Sequence, residues 1–221
     1  MNIIDDATVA KIWNWADENN ISDVTKVEHI SYVSGSYLRG LPRDKEKLLR
    51  MTRLNLLGSQ LTHLSSEICK LTHLKKLYLL DNRLTSLPKE IGNLIHLEEL
   101  YISGNQLTEL PKEIGALKNL KLLLLQENKL TSIPKEITGL QNLTTLELGG
   151  NNLSTLPKEI GDLKNLKKLT LWKNKLTQLP KELHTLENLE EFDCIYNKLE
   201  LTQEDIAWLE SLINTACEVS V

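Results

Sequence analysis

The sequence predicts an α/β solenoid: a horseshoe of stacked coils, with a parallel sheet on the concave side and short helical turns on the convex side. Three observations lead to it. Met51, Leu74, Leu97, Leu120, Leu143, Leu166 and Leu189 follow one another at a fixed step of 23 residues. Within each unit, two apolar residues stand two apart, the spacing of one face of a strand. A second apolar pair, three apart, follows a Leu-Pro or Ile-Pro step and suits one face of a helical turn. A repeat of this period describes a chain whose units bury their apolar faces only against neighbouring units.

The unit from Leu97 shows how each element arises. Leu100 and Ile102 point to one side and Tyr101, between them, to the other. Asn105 stands three residues past Ile102, where the chain must leave the strand. An amide there can pair with the backbone groups that a turn leaves open. Its equivalents are Asn82, Asn128, Asn151, Asn174 and Asn197, so a buried amide ladder is expected to fix the register of the coils. Pro111 then presets φ for a helical turn in which Ile114 and Leu117 face the core. The same proline recurs as Pro88, Pro134, Pro157 and Pro180.

The runs LTSLPKEIGNLIHLEELYISGNQ and LSTLPKEIGDLKNLKKLTLWKNK resemble leucine-rich repeat proteins, most closely the 23-residue LPxxIxxL type. That type is common in bacterial repeat proteins and in intracellular Ras-binding repeat proteins. The resemblance covers roughly 51–200 and implies a protein-binding scaffold. The pattern decays toward the N-terminus, where Ser59 and Ser65 replace the expected Asn and Pro. Leu41-Pro42 lies two periods before Leu87-Pro88, which predicts a degenerate coil over 28–50 with Ser36 in the amide slot. The whole reads as one domain, 1–221, of about eight coils. It has an N-terminal helical cap over 1–27, seven repeats over 51–200 and a C-terminal cap over 201–221.

Caps are needed because the end coils of a solenoid otherwise expose core. Residues 5–19 supply one, with Asp5 or Asp6 as the helix cap and Val9, Ile12, Trp13 and Ala16 as the apolar face. Thr202 to Asp205 reads as the start of the other. Its expected apolar face is Ile206, Leu209, Leu212, Ile213 and Ala216, with Trp208 beside it.

Composition narrows the function. A net charge of -4 gives no basic field for nucleic acid. No stretch has the length of a membrane span. The start carries no signal-peptide pattern. Three scattered cysteines, Cys69, Cys194 and Cys217, make neither a disulfide framework nor a zinc site, and fit a reducing compartment, the cytoplasm. Export by a dedicated secretion system remains compatible with all of this. No HExxH, CxxC, GxSxG or GxxxxGK[ST] occurs. His73 and His96 hold a slot that later coils fill with Asn119, Asn142, Asn165 and Asn188, and so read as part of the repeat. The Lys-Glu pairs beside each proline read as a solvated convex surface. The expectation is a protein that is not an enzyme and holds no cofactor or metal.

The core leaves the concave positions free. Leu57, Tyr78, Leu80, Tyr101 and Leu124 fall on neighbouring strands and predict one apolar strip. Trp172, Ile195 and Tyr196 predict a second, with a shallow gap at Gly149 and Gly150 between them. These eight residues are the candidate site for a partner protein, since Tyr and Trp dominate interface energetics. The lysines and glutamates of the same face are expected to pair with one another across strands. Two other functions compete with direct recognition: a targeting module for an enzyme on another chain, such as a ubiquitin ligase or phosphatase partner, and a self-associating structural protein. A secreted bacterial effector is one form of the first reading. Monomer or weak homodimer is the expected state.

Overall fold

The computed structural model describes residues 4–27, 37–214 and 217–221. Seven parallel strands follow one another at the repeat step: β3 (Arg53–Asn55), β4 (Lys76–Tyr78), β5 (Glu99–Tyr101), β6 (Leu122–Leu124), β7 (Thr145–Glu147), β8 (Lys168–Thr170) and β9 (Glu191–Asp193). Each residue pairs with the residue 23 positions on, as in Leu77 with Leu100 and Leu100 with Leu123. One period is therefore one strand spacing, about 4.8 Å. Identical side chains stack, and Leu54, Leu77, Leu100, Leu123, Leu146, Leu169 and Phe192 form one fully buried file. Each such leucine contributes about 1.5–3 kcal/mol by leaving water.

On the convex side each of the first six coils makes a five-residue 3₁₀ turn, such as Lys112–Ala116. The preceding proline, Pro111, has φ -64° and ψ 142°, so its ring holds the chain extended up to the turn. In the first coil Ser65 replaces proline and instead caps the turn, its hydroxyl accepting from Glu67 N at 3.2 Å.

The expected amide ladder is present. Asn128 Oδ1 accepts from Leu107 N at 3.0 Å, and its Nδ2 donates to Ile102 O and Leu125 O. Ile102 O also accepts from Asn105, and Leu125 O from Asn151, so consecutive amides share carbonyls and lock each coil to the next. A second, exposed ladder runs outside it: Asn119, Asn142, Asn165 and Asn188 each donate to a carbonyl of the preceding coil at 2.7–2.8 Å. The slot shared with His73 and His96 thus has its own structural reason.

The ends differ from expectation. At the N-terminus α1 (Asp6–Glu18) is capped by Asp5, which accepts from Thr8 N. Its buried face is Val9, Ile12, Trp15 and Ala16, whereas Trp13 is half-buried and donates to Pro42 O. Residues 28–36, with Ser36 and His29, lie outside the described residues. The strand half of the predicted degenerate coil needs correction, because its strand does not join the parallel stack. β2 (Tyr37–Arg39) runs antiparallel to β1 (Thr25–Val27), and Gly40 bridges Asn55 in the antiparallel sense. The convex half does persist: Leu41 and Leu48 are fully buried, Leu48 on α2 (Lys45–Arg50). The charged run Asp44–Lys47 starts this helix, with Asp44 accepting from Lys47 N.

At the C-terminus α3 (Gln203–Asn214) buries Asp205, Trp208, Leu209 and Leu212. Ile206 and Ile213 are 38% and 59% exposed, so the helix is rotated from the predicted face, and Ala216 lies outside the described residues. Trp208 stacks on His184 at 5.1 Å and meets Phe192 edge-on at 5.2 Å, closing the last coil. The chain then returns as β10 (Glu218–Ser220), a parallel strand beside β9 that the repeat pattern does not predict.

Asp205 joins this cap to the coil beneath. Its carboxylate accepts from Thr202 N and Oγ1 and lies 3.0 Å from His184 Nε2. Burial by itself raises its pKa, but the Thr202 bonds and His184 outweigh burial and hold it below the ordinary value. A depressed carboxylate stabilises above its unfolded pKa, about 3.9 for Asp, and loses that stabilisation as pH falls through the folded value. Asp205→Asn is therefore expected to melt lower than the native chain at pH 7, with the gap closing below about pH 3.9. Paired thermal melts across that range check it, and a gap that stays constant with pH refutes it.

Candidate functional site

The concave face is built by the strand positions that the core does not use. β4 and β5 place Tyr78 and Tyr101 in register, and their rings stack at 4.5 Å with planes 13° apart. Tyr101 Oη donates to Glu99 Oε2 at 2.8 Å. Burial first, and then the Glu99 carboxylate, push the Tyr101 phenol well above its usual pKa, so it remains a neutral donor. Tyr78 and Leu80 are buried, at 5% and 6% exposure, which corrects the expected exposed strip at these two positions. They form its floor. Leu57, Tyr101, Leu124, Trp172 and Ile195 are half-buried, and Tyr196 is 77% exposed.

The expected gap at Gly149 and Gly150 is also corrected. A Cβ on Gly149 would lie 2.1 Å from Trp172 Nε1, so the indole lies over this glycine. Trp172 thus leans toward the first strip, and with Leu80 and Leu124 it lines one concavity of about 380 Å³. Ser103, Gln126, Asp81, Gly104 and Glu127 complete its lining. Leu57, Tyr78, Tyr101, Ile195 and Tyr196 lie outside it.

The column Gly58, Asp81, Gly104, Glu127, Gly150, Lys173, Tyr196 has a constraint that spacing does not reveal. Every member has positive φ, between 51° and 68°. The turn out of the strand demands this left-handed conformation, which costs a non-glycine residue about 1–2 kcal/mol. Tyr196 meets that cost while almost wholly in solvent.

The lysines and glutamates of the strands pair with one another across this face, as expected. Lys76 meets Glu99 at 2.6 Å, and Glu98 lies between Lys75 and Lys121 at 3.4 and 2.8 Å. Ser103 donates to Gln126, Gln126 donates to Glu147, and Lys168 bridges Glu147 and Glu191 at 3.1 and 2.9 Å. Burial opposes the Lys168 charge, yet the two carboxylates raise its pKa on balance. The sequence pattern does not mark Gln126, Glu147 and Lys168 as a linked set, although their spacing of about one period is a usable signal. Cys69 and Cys194 are buried thiols whose pKa burial pushes up to about 12, so neither is a nucleophile at neutral pH.

This geometry defines a class of protein: a parallel-stranded repeat solenoid whose variable residues lie on a rigid concave sheet. The family model for the leucine-rich repeat region matches residues 33–130 and 112–215, and the chain belongs to the leucine-rich repeat family. It is similar to a leucine-rich repeat protein structure from Leptospira interrogans, 42% identical with TM-score 0.69, covering 72% of this chain and 41% of that one. An internalin from Listeria monocytogenes shares the fold at 22% identity and TM-score 0.65, over 78% of this chain and 48% of that one. The plant peptide hormone receptor RGFR1, in complex with RGF2, is 31% identical with TM-score 0.57, over 69% of this chain and 29% of that one. The chain spans less than half the length of each of these structures. No protein of curated function matches it. Among the described residues, no helix is long and apolar enough to cross a membrane.

Proposed function

We propose that this chain is a non-enzymatic recognition module that holds a partner protein against its concave strand face. The observation that carries the reading is the concavity walled by Trp172 and floored by Leu80 and Leu124, beside the stacked Tyr78 and Tyr101. These side chains are held by the sheet before any partner arrives, so little side-chain entropy is lost on binding. The receptor relative solved with its peptide hormone supports binding of a polypeptide by this kind of fold. We extend the reading to a bacterial effector in a reducing, cytoplasmic setting, supported by the Leptospira relative and the buried free cysteines. Its oligomeric state under this reading is a monomer or weak homodimer.

The test is affinity capture from candidate lysates by the native chain beside a Tyr101→Ala, Trp172→Ala variant of matching circular dichroism. Loss of two interface anchors of about 2 kcal/mol each predicts at least a hundredfold weaker retention, as roughly 1.4 kcal/mol is tenfold. Equal retention by both proteins moves the site to the caps or the convex side.

A further inference from the structure

We infer that the concavity beside Trp172 is an arginine-binding site, taking one guanidinium side chain of the partner protein. This rests on the concave face being the recognition surface, and names the chemistry of what it recognises. The concavity joins an apolar floor, Leu80 and Leu124, to an indole wall and two acidic residues, Asp81 and Glu127.

The glycines of the face bring these groups together. A Cβ on Gly149 would strike the Trp172 indole at 2.1 Å, and one on Gly150 would lie 2.8 Å from Glu127 Oε1. The indole and the Glu127 carboxylate therefore approach from opposite sides over two consecutive residues, whose Cα atoms are about 3.8 Å apart. A Cβ on Gly104 would lie 2.4 Å from Asp81 Oδ1, so Asp81 leans across the open glycine in the same direction. Asp81 and Glu127 stand two coils apart, about 10 Å at the strand spacing. A guanidinium hydrogen-bonded at both ends spans only about 8 Å between its acceptors, so Glu127, which leans toward the indole, is its direct partner, and Asp81 adds negative charge at the far end of the concavity.

Charge complementarity selects the occupant. The carboxylates of the neighbouring strands are taken: Glu98, Glu99, Glu147 and Glu191 all have lysine partners, and Asp193 accepts from Ile195 N. The Asp81 and Glu127 side chains make no salt bridge or hydrogen bond to a described residue, although both are exposed on a face crowded with lysines. Lys173, the nearest cation of their own column, stands two coils beyond Glu127, again about 10 Å away. The Trp172 indole N–H likewise has no hydrogen-bond partner among the described residues. An aromatic wall and unpaired carboxylates over an apolar floor suit a planar cation that stacks and donates in a fork. Arginine fits this better than the compact, strongly hydrated ammonium of lysine.

The test titrates the intact chain with N-acetyl-arginine amide, and with N-acetyl-citrulline amide as its uncharged isostere. The readout is the Trp172 indole N–H resonance, identified by its loss in Trp172→Phe. A saturable shift with arginine, and a response at least about tenfold weaker with citrulline, is expected for charge-assisted contacts. Asp81→Asn with Glu127→Gln is expected to weaken arginine binding about tenfold, while Glu90→Gln on the convex side changes nothing. Equal responses to arginine and citrulline, or no movement of Trp172 with either, overturn the site. A partner lost by Tyr101→Ala, Trp172→Ala but fully retained by Asp81→Asn, Glu127→Gln overturns it too, and leaves the concave-face reading standing.

Discussion

Trp208→Ala is expected to lower stability by about 3–5 kcal/mol, the range for removing a large buried aromatic. Trp208 is 7% exposed and touches the two groups that end the stack, His184 of the last 3₁₀ turn and Phe192 of the last repeat strand. Without it, the end of the leucine file opens to water, and an uncapped solenoid end is a site of association. The loss should therefore show twice: as a lower midpoint in urea, and as new binding of an apolar dye at native conditions. Ile213→Ala on the same helix, 59% exposed, is the control and should change stability by less than about 0.5 kcal/mol. Equal midpoints for the two variants would remove Trp208 from its role as the closing residue.

Asn128→Ala is expected to cost about 3–5 kcal/mol, by a different route. The buried N–H of Leu107 loses its acceptor, and a buried donor left unpaired costs about 1–3 kcal/mol. Ile102 O and Leu125 O each keep one amide, from Asn105 and Asn151, so their loss is partial and adds about 1 kcal/mol apiece. Because the ladder couples each coil to the next, the variant should also unfold less cooperatively, its central coils opening first. Hydrogen exchange at Leu107 N–H and its neighbours reads this directly. Asn119→Ala, in the exposed outer ladder, removes one solvent-accessible bond to Ile95 O and should cost less than about 1 kcal/mol. Should both substitutions cost the same, burial of the inner ladder would not be what holds the register.

The repeating part of the fold was legible in the sequence because each coil meets an identical neighbour. A period of 23 residues that becomes one strand spacing puts like side chains on like, so Leu100 and Asn105 carry their positions and partners in their spacing alone. Both end helices were legible as well, from Asp5 and from the reciprocal Thr202–Asp205 bonds.

Their faces were not. An end helix has one partner surface, whose shape depends on which groups the last coil presents. His184 and Phe192 draw in Trp208 and turn Ile206 outward, though hydrophobicity ranks them the other way. β10 is hidden for the same reason: Glu218–Ser220 has a single apolar residue, Val219, too short an alternation to mark a strand, and it is a strand because β9 leaves an edge to pair.

On the candidate site, sequence spacing determined which residues reach the concave face, since alternation along a strand is local. Only tertiary structure decided what they do there. Tyr78 becomes floor because Tyr101 stacks on it from the next coil, and Trp172 becomes a wall because Gly149 leaves it room. Lys168 is consumed by Glu147 and Glu191, while Asp81 and Glu127 have no ion-pair partner among the described residues. These outcomes depend on the reach of side chains between coils 23 residues apart, where neither local propensity nor the repeat constrains them, because the repeat is silent at the positions that vary.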